Sequence, residues 1–203
     1  MSLRNNIPLL LISSRLLAGF AILILALINP GSTGTIPAAL LIYGFLSDVF
    51  DGVIARQLGI STQKLRRLDS SVDQVFFLCV AATACIRCTD FFKAHATAII
   101  VLLAFEALTY AVSFIKFRKE IATHSIGAKI WAALLCGTLT QIMFSCSSGI
   151  LFQLSIWVGM VTRLEIILII LCLRKWTNDV PTLYHAIRLR HNKGIKRHKL
   201  LNG

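Results

Sequence analysis

Apolar residues run along this chain in long blocks rather than in the short alternations of a soluble fold. Blocks near 8–29, 35–56, 70–88, 93–115, 129–146 and 151–173 each approach the length a bilayer requires, about 20 residues for one helical span. The pattern predicts an all-α, polytopic integral membrane protein with about six transmembrane helices. Polar residues fall mostly between the blocks, and basic ones gather in three places: 56–67, 116–119 and from 174 to the end. The connections at 30–35 and 145–148 carry no basic residue. Alternation of basic and charge-free loops predicts an even-numbered bundle with both termini and the basic loops in the cytoplasm.

Composition agrees with this reading. The 203 residues are 56% hydrophobic and 15% charged, and mean hydropathy is +0.75. The net charge of +12 would suit nucleic acid on a soluble chain. Its concentration in alternate loops and the tail argues against nucleic-acid binding and for contact with membrane lipids. The first block is too long for a cleaved signal peptide, Arg15 interrupts it, and no small-x-small cleavage site follows it before Pro30, so it is expected to stay as a helix. Neither an internal repeat nor a low-complexity tract divides the chain, and one membrane domain over 1–203 is expected.

Within this apolar sequence, acids are scarce: nine in all. Four of them stand close together, as Asp48 and Asp51 in one cluster and Asp69 and Asp73 in the next. Acids beside a bilayer are costly and usually serve function. Two carboxylates ~4 Å apart repel by roughly 4 kcal/mol at an effective dielectric of about 20, so four need a cation among them. Oxygen-only ligands favour Mg²⁺, Mn²⁺ or Ca²⁺ over zinc. On a helix, positions 48, 51, 52, 55 and 56 share a face, and 69 and 73 share a face of the next helix. Gly52 and Ala55 leave room against the backbone, and Arg56 adds a fixed cation suited to phosphate. The stripe predicts a metal–diphosphate site. Paired instead with Arg56, Arg66 or Arg67, the same acids would be merely structural.

These residues resemble the signature of the CDP-alcohol phosphotransferases, membrane enzymes of phospholipid head-group synthesis: D-x2-D-G-x2-A-R, about eight residues, then G-x3-D-x3-D. Asp48, Asp51, Gly52, Ala55, Arg56, Asp69 and Asp73 match in register. Leu65 stands where the family has its second glycine, and Thr62 lies three residues before it, where many members carry threonine. Asn6-Ile7-Pro8 followed by Ser14-Arg15-Leu16 is similar to the start of the first helix in many relatives. Gly127 and Lys129 are similar to a glycine–lysine element before the fifth helix, here split by an alanine.

The resemblance implies transfer of a substituted phosphate such as phosphatidyl from a CDP-alcohol such as CDP-diacylglycerol to a small alcohol acceptor, with release of CMP. It implies two divalent ions, Mg²⁺ or Mn²⁺, on Asp48, Asp51, Asp69 and Asp73, and Asp73 as general base. Gly52, Ala55, Arg56 and Thr62 would meet the nucleotide. Gln74 and Lys129 fall on the acceptor side, and the uncharged Gln74 leans toward an acceptor without a phosphomonoester. A homodimer is implied as well, and the expected location is a bacterial inner membrane with the site facing the cytoplasm. Two alternatives stand beside this: a weak or inactive nucleotide-binding relative, because of Leu65, and a carboxylate-lined cation carrier.

Other polar residues are open to more than one reading. Cys85-Ile86-Arg87-Cys88 is a solitary C-x-x-C without metal partners; its cysteines act as small hydrophobes or join a disulfide at the outer end of the third helix. Glu106 and Arg163 lie mid-span and either pair between helices or line an acceptor cavity. The basic tail predicts an interfacial helix with Leu183, Ile187 and Leu200 on its apolar side and Pro181 in its first turn. The five histidines make no metal-ligand spacing and are expected at surfaces or interfaces.

Overall fold

The computed structural model describes residues 7–31, 34–58, 62–119, 125–177 and 180–193. Among the described residues eight helices are formed: α1 (Ile7–Ile28), α2 (Thr35–Gln57), α3 (Gln63–Arg87), α4 (Thr89–Ala94), α5 (Ala96–Phe117), α6 (Ile126–Ser145), α7 (Ile150–Cys172) and α8 (Leu183–Arg190). Helix makes up 85% of the structure. Six of the helices, α1, α2, α3, α5, α6 and α7, are long and apolar enough to cross a membrane. Their exposed leucines, isoleucines and phenylalanines are the lipid-facing surface that a bilayer solvent permits.

Two boundaries differ from the sequence reading. Helix α3 begins at Gln63, well before its apolar block, because Thr62 caps it: the Thr62 hydroxyl accepts the Leu65 backbone N–H at 3.2 Å, satisfying one of the free donors of the first turn. The polar turns that follow lie outside the apolar span, which starts at Leu68. The fourth block is interrupted: residues 89–94 form the separate helix α4, and the span proper begins at Ala96.

The chain divides into two compact units. Residues 1–94 and 136–148 form the first, and residues 95–135 and 149–203 the second. In the first, α1 packs along both α2 and α3. Phe76 of α3, 1% exposed, fills a socket made by two glycines. A Cβ on Gly44 of α2 would fall on its ring, and one on Gly19 of α1 would come within 3.2 Å of Phe76 Cδ2. Small residues thus let three backbones close around one ring, the packing a membrane interior favours where lipid gives no hydrophobic drive. The α1–α2 connection is held in the same way: a side chain on Gly34 would strike the Met143 carbonyl of α6. Cys88, at the end of α3, is disulfide-bonded to Cys146 just beyond α6, with Cα atoms 5.1 Å apart. The C-x-x-C does not close on itself, and Cys85 is free and exposed.

In the second unit, α5 packs on α7 and α7 on α8. Lys116 of α5 donates to the Ile170 and Leu171 carbonyls of α7 at 3.0 and 2.7 Å, a favourable place for a cation near a helix C-terminus. Arg163 pairs with Glu106 and lies over the Trp131 ring, 4.6 Å from its centroid. The Trp131 Nε1–H donates to the Ser155 carbonyl at 2.9 Å. The interhelical pair is therefore formed, and its third member is aromatic.

Helix α8 is shorter and less lipid-directed than the tail pattern suggested. Ala186 is fully buried with Ile169, Leu173 and Val180, and Leu183 and Leu189 pack against that cluster. The apolar side is spent on protein, leaving Ile187 and Tyr184 exposed. Pro181 precedes the N-cap Thr182 instead of entering the first turn, and its carbonyl accepts the Ile126 N–H at 3.0 Å. Leu200, His124 and His198 lie outside the described residues.

Candidate metal centre

Three helices of the first unit converge on one polar point. Helical periodicity places Asp48 and Asp51 of α2 one turn apart, and Asp69 and Asp73 of α3 likewise. Close packing through the Phe76 socket faces the two stripes toward each other. One carboxylate oxygen from each of Asp48, Asp51 and Asp69 lies within 4.8 Å of the others. Burial is graded: the side chain of Asp51 is 2% exposed, those of Asp69 and Asp73 27%, and that of Asp48 40%. The site therefore has a floor at Asp51 and opens past Asp48.

Arg15 of α1 reaches into the centre, and its side chain is 1% exposed. Its Nη1 lies 3.2 Å from Asp48 Oδ1 and 3.1 Å from Asp69 Oδ1, and it also bonds Asp73. Its Nη2 bonds Asp51. The sequence reading had assigned Arg15 no role in the site. The signal was present, since an arginine within an apolar span needs anionic partners, but nothing local says which acids those are. Two further contacts brace α1 against α2 beside the site: Ser14 Oγ with Tyr43 Oη at 2.7 Å, and Ser47 Oγ donating to the Leu11 carbonyl at 3.3 Å.

The remaining predicted residues are distributed unevenly. Ala55 is buried and Gly52 half-buried on the α2 stripe. Arg56 is in α2, but its side chain lies outside the described residues. Thr62 is at the exposed start of α3, and its hydroxyl oxygen is engaged in capping. Leu65, whose N–H is capped, is half-buried. Gln74 is exposed on α3 next to Asp73. Lys129 belongs to the second unit, in the first turn of α6, and is exposed.

Chemically, the cluster suits a hard divalent cation. It offers only carboxylate oxygens, they are close enough to share an ion, and a cationic group already lies among them. A family model described as CDP-alcohol phosphatidyltransferase matches residues 5–174 of the chain. No curated protein and no solved structure matches it.

Proposed function

The chain belongs to the CDP-alcohol phosphatidyltransferase family, and we propose that it moves a phosphatidyl group from CDP-diacylglycerol to the hydroxyl of a small alcohol, releasing CMP. The family transfers phosphatidyl groups from CDP-alcohols and uses divalent metal ions. The observation that carries the reading for this chain is the convergence of Asp48, Asp51, Asp69 and Asp73 on one point between α2 and α3.

In this reading Asp48, Asp51 and Asp69 would hold the two Mg²⁺ or Mn²⁺ ions, with Asp73 completing the second site. Ions bound there supply charge neutralisation for the diphosphate and the departing CMP, as in other two-metal displacements. Gly52 and Ala55 leave the α2 backbone open to the nucleotide, and Arg56 binds its phosphates. Thr62 caps α3 through its oxygen lone pair, and in this reading its hydroxyl hydrogen is offered to a phosphate oxygen. Asp73 takes the proton from the acceptor hydroxyl as that oxygen bonds to the β-phosphorus and the bond to CMP breaks. Gln74 beside it is neutral and favours an acceptor without a phosphomonoester.

Two features at opposite ends of α3 support a cytoplasmic site in this reading. Asp69 and Cys88 are separated by about 28 Å at 1.5 Å per residue, close to the hydrocarbon thickness of about 30 Å. A disulfide at the far end suits an oxidising compartment, which favours the cytoplasmic side for the aspartates, where a soluble acceptor would arrive. The positive-inside pattern supports the same orientation.

The test is to incubate purified protein with CDP-diacylglycerol, Mg²⁺ or Mn²⁺ and a panel of alcohols, and to measure CMP and identify the lipid product. The expected result is CMP release that EDTA abolishes and either ion restores. Undiminished release with chelator refutes the metal role. Nucleotide binding without CMP release identifies an inactive relative, and metal binding indifferent to CDP compounds identifies a carrier.

A further inference from the structure

The guanidinium of Arg15 contacts all four aspartates at once, with Nη1 on Asp48, Asp69 and Asp73 and Nη2 on Asp51. Among the described residues its buried Nε has no hydrogen-bond partner, so the carboxylates are the contacts that hold its end. The position of the side chain is thus set by the carboxylates, and the convergence of the carboxylates is set in part by the side chain. A carboxylate oxygen binds Mg²⁺ at about 2.0–2.1 Å. Oxygens gathered that closely around metal cannot also enclose a guanidinium in their centre. The guanidinium and a divalent ion at such a separation repel strongly, because little water can lie between them.

We propose that Arg15 is a positioning residue, an internal cation that holds the four carboxylates together when no divalent ion is bound and must leave their centre before one loads. It thereby raises the divalent concentration at which the site fills, and keeps the metal-free bundle from splaying under the repulsion of its own acids. The inference rests on the metal-dependent reading above. An arginine suits the task better than a lysine, because the planar fork spans Asp51 on one arm and the other three acids on the other. Its long stem also lets the charged end swing outward while its root stays in α1.

The experiment is a Mn²⁺ titration of the purified protein in detergent, with free Mn²⁺ read by electron paramagnetic resonance, for the wild type, Arg15→Gln and Arg15→Lys. Removing a unit charge within contact of the ligands is expected to tighten Mn²⁺ binding by about tenfold or more. Arg15→Lys keeps the charge but not the fork, and its Mn²⁺ affinity should fall between those of wild type and Arg15→Gln. Without metal, Arg15→Gln should melt at lower temperature than wild type, and Mn²⁺ should close the gap. If Arg15→Gln is recovered folded only with Mn²⁺ present, its affinity is read from the concentration of chelator that strips the ion, and the same tightening is expected. Equal or weaker Mn²⁺ binding by Arg15→Gln overturns the proposal, as does a shift in Arg15→Lys as large as that in Arg15→Gln. Absence of Mn²⁺ binding in all three proteins overturns it together with the metal-dependent reading, an outcome distinct from binding that is indifferent to residue 15.

Discussion

Gly44→Ala should change the sign of its effect with the residue at position 76. A Cβ on Gly44 falls on the Phe76 ring, at its far edge Cζ and both Cε atoms. The ring cannot retreat toward α1, where the backbone of Gly19 lies against it. Overpacking of this kind costs about 1–3 kcal/mol, whereas alanine is a better helix former than glycine by roughly 1 kcal/mol. The overlap is deep and the ring is rigid, so the steric term should win, for a net loss of about 1–2 kcal/mol. Phe76→Ala removes a side chain that is 1% exposed. Such truncations cost about 3–5 kcal/mol in soluble cores, and the low end applies here because lipid is as apolar as the core. In the Phe76→Ala background the obstructing ring is gone, and Gly44→Ala should stabilise by up to about 1 kcal/mol through helix propensity. Reversible unfolding of the four proteins of the cycle in mixed micelles gives these values directly. Gly44 is one turn before Asp48, and Phe76 is three residues after Asp73, so Gly44→Ala alone should also impair Mn²⁺ binding in the folded fraction. If Gly44→Ala has the same sign in both backgrounds, the ring does not set the α1–α2–α3 distance.

Other expectations concern the chemistry and the orientation. Asp73→Asn should lower single-turnover CMP release by about 10²–10⁴, the usual worth of a positioned base, while largely keeping CDP-diacylglycerol binding; Asp51→Asn should weaken donor binding and turnover together, and donor affinity measured for both separates the roles. Leu65→Gly should improve apparent donor affinity by opening the motif position, at a cost of about 1 kcal/mol in the first turn of α3; no gain in a folded variant means leucine belongs there. Reduction, or Cys146→Ser, should lower the melting temperature by removing a tie across 58 residues, worth at most about 4 kcal/mol by loop entropy, whereas Cys85→Ser should leave it unchanged. With the free thiols removed and the disulfide kept, an impermeant maleimide should label a cysteine at Ser147 in intact cells and not one at Gln57; the reverse pattern would invert the proposed topology.

Local periodicity made much of this protein legible from its residues alone. Six spans follow from block length, since a bilayer sets one scale for every crossing. The two aspartate stripes follow from helical spacing, which places Asp48 over Asp51 and Asp69 over Asp73 in any helix. The start of α3 was less visible, because Thr62 caps a polar turn that hydropathy reads as loop. Tertiary structure decided what meets what. Arg15 is 33 to 58 residues from the acids it touches, and a lone arginine in an apolar span announces only that some anion must answer it. Cys88 sits three residues from one cysteine and bonds another far along the chain, because the ends of α3 and α6 come together. The tail helix turned its apolar side to Ile169 and Leu173 because packing partners were nearer than lipid. Sequence spacing fixes which residues share a face of one helix; only the packing of Phe76 between Gly19 and Gly44 fixes which faces meet.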